Sequence, residues 1–134
     1  MNYKVAMVFC ILIANTNSFA EWRQEGENSQ IIVYSNTEGI VKLNDTIRIW
    51  YLFDYKTPII SPIKFPYSSS REFIEFNCRL NTVQKLSFTW FEENMGQGGV
   101  LRNYDKASEL RNVAPETFDS WLIKNACRKS NQKE

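Results

Sequence analysis

The chain has 134 residues, 14% of them aromatic, and its sixteen Lys and Arg residues nearly balance fifteen Asp and Glu residues. This length predicts one domain around one core, and the near-zero charge argues against nucleic acid as a partner, because phosphate binding depends on clustered excess cations. The chain has no histidine, which removes the usual base for a serine or cysteine nucleophile and the commonest zinc ligand.

The amino terminus has the pattern of a secretory signal peptide. Lys4 precedes an apolar run at 5–14, and Ser18-Phe19-Ala20 supplies small residues at a peptidase site. Polar residues at 15–17 end the run too early for a transmembrane helix, which needs about 20 apolar residues. We therefore expect a signal peptide at 1–20 and a single domain at 21–134, with a retained anchor as the alternative.

Cys10 lies inside the apolar run and not behind small residues at the cleavage point. No lipid-attachment motif is therefore predicted, and Cys10 is expected to be discarded. Removal of Lys4 with the signal peptide leaves fifteen basic and fifteen acidic residues. The mature chain is thus expected to be neutral and exported, without a transmembrane segment.

Most of the mature chain is predicted to form strands, because β-branched and aromatic runs alternate with turn residues. The first strand or strands are predicted at Trp22 and 31–34. Further strands are predicted at 40–43, 46–54, 70–78 and 82–91, with weaker candidates at 99–104 and 109–113. Polar turns are predicted at 25–30 and 35–39, and Asn44-Asp45 suits a hairpin. The segment 55–69 contains three prolines and is predicted to be a long connection, because proline removes a ladder donor.

Two further segments follow the clear strands. The stretch NMGQGGV at 94–100 predicts a wide turn or bulged hairpin, and it lacks the lysine and hydroxyl spacing of a phosphate loop. From Pro115 onward a helix is predicted. Its apolar residues recur at helical spacing, and its charged residues suit the helix dipole: Phe118, Trp121, Leu122 and Ala126, with Asp119 early and Lys124, Arg128 and Lys129 late.

Alternation along the strands predicts which face is the core. The residues expected on it are Ile47, Ile49, Tyr51 and Phe53, then Ile74, Phe76 and Cys78, then Leu86, Phe88 and Trp90. The helix is expected to cover this face with Phe118, Trp121 and Leu122. That arrangement brings Cys127 within reach of Cys78.

Cys78 and Cys127 are the cysteines left after cleavage, and we expect a structural disulfide between them in an oxidising compartment. Closing a loop of about fifty residues contributes roughly 4 kcal/mol in the chain-entropy model. The alternatives are two separate buried thiols or a redox pair, although no C-x-x-C spacing supports the latter.

The opposite face carries a candidate protein-contact patch. Its residues are Arg48, Trp50, Leu52, Arg71 and Phe73, which combine apolar surface with cations as protein-binding sites do. The alternative is that the proline-containing segment folds over Trp50, Leu52 and Phe73 as ordinary packing.

No catalytic or metal site is predicted, and no cofactor. Glu92-Glu93 is the obvious carboxylate pair, but adjacent residues at a turn point apart into water. With Cys78 and Cys127 committed to each other, thiolate ligands for a metal are missing as well.

Several short segments, in order, carry a resemblance to a known family. They are Glu21-Trp22, Tyr34, WYLFDYKTP at 50–58, EFNC at 75–78, NMGQGGV at 94–100, Pro115 and Cys127. Over nearly the whole mature length the chain resembles the surface-adhesin protein E family of Gram-negative bacteria. The resemblance implies an α+β fold, with a single antiparallel sheet of about six strands and one carboxy-terminal helix packed on one face and tied by a disulfide.

The resemblance also implies a binding protein without enzyme activity or cofactor. The first hypothesis is an exported, adhesin-like protein that contacts host extracellular-matrix or other proteins. The second is a periplasmic, envelope-associated structural or interaction module, and the third is an enzyme with unrecognised carboxylates. A protein partner or a second copy of the chain is expected, in the periplasm, the medium or at the cell surface.

Overall fold

The computed structural model describes residues 21–131, so the predicted signal peptide and its Cys10 lie outside the described residues. Within this range the chain forms one sheet and one α-helix. The elements are β1 (Trp22–Glu27), β2 (Ile31–Leu43), β3 (Thr46–Ile60), β4 (Pro66–Asn77), β5 (Thr82–Phe91), β6 (Val100–Tyr104), β7 (Arg111–Asn112) and α1 (Phe118–Ser130). Nowhere between residues 21 and 131 is there a helix with the length and apolar character to cross a bilayer.

The sheet is an antiparallel meander in which β1 to β6 lie side by side in sequence order. The short β7 pairs with β5 on the same side as β6, at Thr82 and Val83. The predicted α+β fold, a single antiparallel sheet with one carboxy-terminal helix, is confirmed.

Two predicted turns near the amino terminus are shorter than expected or absent. Only 28–30 separate β1 from β2, and the Asn28 side chain accepts hydrogen bonds from the backbone N–H groups of Gln30 and Ile31 at 2.8 and 3.0 Å. The turn predicted at 35–39 is wrong, because β2 runs through it. The register between β2 and β3 shifts between Asn36 and Val41, so the polar residues there are accommodated as an irregularity within the strand.

The long connection predicted at 55–69 is also wrong, because β3 continues to Ile60 and β4 already begins at Pro66. Pro58 lies where the register between β3 and β4 shifts, between Asp54 and Ile59. Pro62 lies in the turn, and Pro66 is the first residue of β4. Each proline therefore occupies a position where no ladder hydrogen bond is lost.

The core lies between the sheet and α1. It contains Val33, Ile47, Ile49, Tyr51, Phe53, Ile74, Phe76, Val83 and Val113 with Leu122, Ile123 and Ala126 from the helix. The face predicted for β3 is confirmed, but Leu86, Phe88 and Trp90 of β5 are half-buried and lie outside this cluster. Phe73 pairs with Ser87 and Ile74 with Lys85, so Leu86 is a bulged residue and Val83 takes the core position.

The helix begins three residues after Pro115, and its N-cap Thr117 accepts a hydrogen bond from the backbone N–H of Ser120 at 3.2 Å. Leu122 is buried as predicted, but Phe118 and Trp121 are partly exposed on the flank of α1. The helix is rotated so that Ile123 and Ala126 face the sheet. Trp121 instead lies against Gly26 of β1, where an added Cβ would be 2.8 Å from its ring.

The predicted disulfide is confirmed: Cys78 and Cys127 are bonded, with a Cα–Cα distance of 5.8 Å. It joins the residue after β4 to the last turns of α1. The sheet is thereby linked covalently to the helix that covers its core.

Polar groups beneath the helix form a chain of hydrogen bonds. The Tyr51 hydroxyl donates to Asn125 Oδ1 at 2.7 Å, and Asn125 Nδ2 donates to Glu25 Oε2 at 2.9 Å. Ser35 Oγ and Lys129 Nζ both reach Glu25 Oε1. Across residues 21–131, every buried side-chain nitrogen and oxygen has a partner.

Candidate protein-contact site

The sheet face opposite α1 holds the residues predicted to contact a partner, and we call it the open face. Antiparallel pairing places Trp50 of β3 opposite Phe73 of β4 and Arg48 opposite Glu75. Arg71 pairs with Leu52 two residues further along. Since directly paired side chains project from the same face, the register alone brings the predicted residues together.

Four of these residues form what we call the contact patch: Arg48, Trp50, Arg71 and Phe73. The rings of Trp50 and Phe73 stack with centroids 4.8 Å apart and an interplanar angle of 22°. The guanidinium carbon of Arg71 lies 5.5 Å from the Trp50 ring centroid, within cation–π distance. Arg48 forms an ion pair with Glu75. The patch is therefore a stacked aromatic pair flanked by two arginines.

Leu52 does not belong to the contact patch, contrary to the sequence prediction. It is 1% exposed, because the 3₁₀ turn Asn94–Gly96 folds over it, and a Cβ added to Gly96 would lie 3.8 Å from Leu52 Cδ1. This turn is fastened by Asn94, whose Nδ2 donates to Asp54 Oδ1 and to the Tyr55 carbonyl, both at 2.9 Å.

The glycines of the turn explain why this cover was missed. Gly96 and Gly98 have φ angles of +68° and +76°, which only glycine adopts without cost. The sequence therefore signalled a turn, but not that the turn folds back onto Leu52. The cover on the open face comes from this glycine segment and not from the proline-containing one.

A second aromatic group was missed by sequence reasoning because it runs across strands. On the helix side of the sheet, beyond α1, five rings form what we call the aromatic row: Tyr55, Tyr67, Trp90, Phe88 and Tyr104. Successive centroids are 5.6, 4.6, 5.1 and 5.5 Å apart. Arg102 lies 5.9 Å from the Trp90 ring and Lys85 lies 5.3 Å from the Phe88 ring. Such a row is visible only once the register of four strands is known.

Burial acts on the two tyrosines at one end of the aromatic row. It raises the pKa of the Tyr55 and Tyr67 hydroxyls above 10.0, and the nearby Glu72 charge raises both further. Both side chains are therefore neutral at physiological pH. They present ring surface and a hydrogen-bonding hydroxyl, and no charge.

A groove runs between β1, the β1–β2 turn and α1, with a volume of about 430 Å³. Gly26, Ile31, Phe118 and Trp121 line it, with Glu25 and Glu27 at its polar side. It is open to solvent and mostly apolar. It holds no nucleophile paired with a base.

The acidic pair Glu92-Glu93 follows β5 and is exposed. A Glu92 carboxylate oxygen accepts a hydrogen bond from the Gly99 backbone N–H at 3.4 Å, so this side chain bridges the base of the turn. Throughout the described part of the chain, no three His, Cys, Asp or Glu side chains converge as metal ligands would. The contact patch and the aromatic row are suited to contact with another molecule by packing, ring stacking and charge.

Comparison with known proteins found a matching family model and similar solved structures. The family model described as surface-adhesin protein E matches residues 22–128. Solved structures of Haemophilus influenzae protein E share the fold. One crystal form has a TM-score of 0.60 at 17% identity, covering 80% of this chain and 94% of that one. A structure from non-typeable H. influenzae has a TM-score of 0.52 at 16% identity, covering 83% and 85%. The search of curated proteins gave no match.

Proposed function

Because the chain belongs to the surface-adhesin protein E family, we propose that it is an exported, non-enzymatic binding protein whose contact patch docks onto a protein partner. The partner class is a host extracellular-matrix protein or another surface protein, as expected of an adhesin. The observation that carries the proposal is the stacked pair of Trp50 and Phe73 with Arg71 beside it.

The composition of the contact patch supports a protein partner. Tryptophan and arginine are enriched among the residues that dominate binding energy at protein interfaces. Stacking against Phe73 and contact with Arg71 already restrict the Trp50 ring, so little side-chain entropy is lost on binding. The patch lies on regular strands, which hold its geometry more firmly than a loop would.

The proposal includes the route out of the cytoplasm. Residues 1–20 act as a signal peptide cleaved after Ala20, and 21–134 form the single mature domain. Amino-terminal sequencing of the exported protein tests this directly, with Glu21 as the expected first residue. Cell fractionation then distinguishes an adhesin from an envelope-associated module. Recovery in the medium or outer membrane agrees with an adhesin, and recovery in the periplasm alone supports the envelope-associated module.

Binding of Trp50→Ala and Phe73→Ala variants to immobilised matrix proteins tests the contact patch. Each substitution is expected to raise the Kd by about tenfold or more, because each removes half of the stack. Tyr104→Ala is the matched control, since it removes an aromatic side chain from the other face of the sheet.

Melting curves of the same variants confirm that the fold survives. An unchanged Kd in both patch variants, or an equal loss in the control, would overturn the assignment of the site. Sedimentation of the free protein tests a second copy of the chain as the partner. In that case the patch variants shift the monomer–dimer equilibrium and not only matrix binding.

A further inference from the structure

The turn that joins β3 to β4 exposes an unusual amount of apolar surface. We call residues 59–65 the hairpin tip. Four large apolar side chains are exposed within these seven residues: Ile59 by 39%, Ile60 by 67%, Ile63 by 46% and Phe65 by 59%. Pro62 lies among them. Apolar surface clustered in this way is a sign of an interaction site.

The hairpin tip projects beyond the rest of the sheet. On one side, β2 ends its pairing with β3 at Ile31, opposite Tyr55, and on the other side β5 ends opposite Ser69. Strand β3 continues five residues past Tyr55, to Ile60. On the other arm, only three residues of β4 precede Ser69. At about 3.3 Å per residue, the two strands therefore extend on the order of 10 Å before the turn.

The charge of this hairpin has one sign. From Tyr55 to Arg71 the sequence contains no Asp or Glu, but it contains Lys56, Lys64 and Arg71. Lys64 lies within the tip, is exposed, and makes no ion pair with any residue in 21–131. Lys56 pairs with Glu27 at 2.8 Å, at the base of the projection.

Two tyrosines lie at the base of the projection. Tyr55 and Tyr67 contact each other edge to face, with centroids 5.6 Å apart, and Tyr67 stacks on Trp90 at 4.6 Å. Tyrosine and tryptophan prefer the boundary between hydrocarbon and water. The hairpin therefore has an apolar tip that contains a cation, and aromatic rings lie behind this tip along the hairpin axis.

We propose that the hairpin tip docks the protein onto a lipid bilayer surface that contains anionic phospholipid. Ile60, Ile63 and Phe65 enter the headgroup region, Lys64 contacts phosphate groups, and the tyrosines lie at the boundary. Interfacial segments penetrate about 5–10 Å, which does not exceed the length of the projection with its turn. Glu27, Glu92 and Glu93 at its base therefore stay in water, away from the anionic surface.

The size of the tip favours a bilayer over a protein as its occupant. A stable protein interface buries about 800 Å² on each partner, which a seven-residue turn at the end of two strands does not offer. A bilayer needs no matching surface and accepts a narrow apolar wedge. The contact patch lies on the open face of the sheet, so docking at the tip leaves it accessible.

Flotation of the purified protein with lipid vesicles tests the proposal. We expect binding to vesicles of phosphatidylethanolamine and phosphatidylglycerol, and weaker binding to phosphatidylcholine alone. An Ile60→Ser, Phe65→Ser double variant is expected to lose about tenfold in affinity. Lys64→Glu is expected to abolish the preference for phosphatidylglycerol.

Leu43 and Leu80 provide the matched control, because both are similarly exposed but lie at the opposite end of the sheet. A Leu43→Ser, Leu80→Ser double variant should bind vesicles as the natural sequence does. Phe65→Trp should be quenched by brominated phosphatidylglycerol, whereas Leu80→Trp should add no quenching. Absence of vesicle binding at low salt, equal losses in both double variants, or equal quenching at both positions would overturn the proposal.

Discussion

At the scale of single residues, Glu25 has the most connected charged side chain beneath the helix. Its carboxylate accepts hydrogen bonds from Ser35 and Asn125 and forms an ion pair with Lys129. The Glu25 side chain is 9% exposed. Burial by itself would raise the pKa of this carboxyl. The hydrogen bonds from Lys129, Ser35 and Asn125, with the Lys129 charge, outweigh burial and hold the pKa below 4.5.

Substitution of Glu25 is therefore predicted to lower the free energy of unfolding by an amount that depends on pH. Because the folded-state pKa lies below the unfolded-state value, the ionised carboxyl stabilises the fold above about pH 4.5, and this stabilisation is lost as the pH falls through the folded-state pKa. Glu25→Gln should lower the free energy of unfolding at neutral pH by about 2 kcal/mol.

Urea unfolding measured across the acidic range checks this prediction. The difference between Glu25→Gln and the natural sequence should shrink below pH 4.5. Glu38→Gln, at an exposed position of β2, serves as the control and should leave stability nearly unchanged. A difference that stays constant with pH would contradict the role assigned to the carboxylate.

At the scale of elements, α1 is a short helix that depends on its attachments. Leu122, Ile123 and Ala126 pack on the sheet, Lys129 and Asn125 reach Glu25, and Cys127 is bonded to Cys78. A helix of 13 residues has little stability in water alone. Its position is therefore set by packing, by the polar network and by the disulfide.

Loss of the disulfide is predicted to destabilise the domain strongly. The bridge closes a separation of 49 residues, for which the chain-entropy model gives about 4 kcal/mol. A Cys78→Ser, Cys127→Ser double variant should show this loss in chemical unfolding, and should expose the apolar face of the sheet to a hydrophobic dye. Free thiols in the natively purified mature protein would contradict the bond itself.

Elements differ in how far the sequence determined them. The strand at 82–91 and the core alternation from Ile47 to Phe53 were predicted correctly, because each depends on one segment's own pattern. Pro58 and Pro66 led to the wrong prediction, since neither a bulge nor the start of a strand can be located before the pairing of the two strands is known. Leu52 was misplaced for the same kind of reason: its cover comes from a turn about forty residues away in sequence.

At the scale of the whole molecule, buried tyrosine hydroxyls make the fold less stable at alkaline pH. Burial raises the pKa of Tyr51 and of Tyr55 well above 10.0, and the charges of Glu25 and Glu72 add to this respectively. In the unfolded chain both hydroxyls ionise near pH 10. Unfolding above that pH therefore releases protons, and the free energy of unfolding falls as the pH rises.

Denaturation at a series of alkaline pH values tests this decline. Tyr55→Phe should flatten the decline above pH 10 because it removes one of the buried phenols, whereas Tyr104→Phe at the exposed end of the aromatic row is the matched control. Phenolate absorbance should rise in step with the loss of ellipticity. Stability that does not change above pH 10 would contradict the prediction.

The strand order also determines the order in which the hairpins can form. Each of β2 to β6 pairs with the strand made just before it, so a polypeptide that emerges amino end first can close its hairpins one after another. Cys78 is in place by the time β4 is complete, but its bonding partner arrives near the very end. The disulfide can therefore form only after every strand of the sheet has been made, when the pairings of β1 to β6 are available to position Cys78.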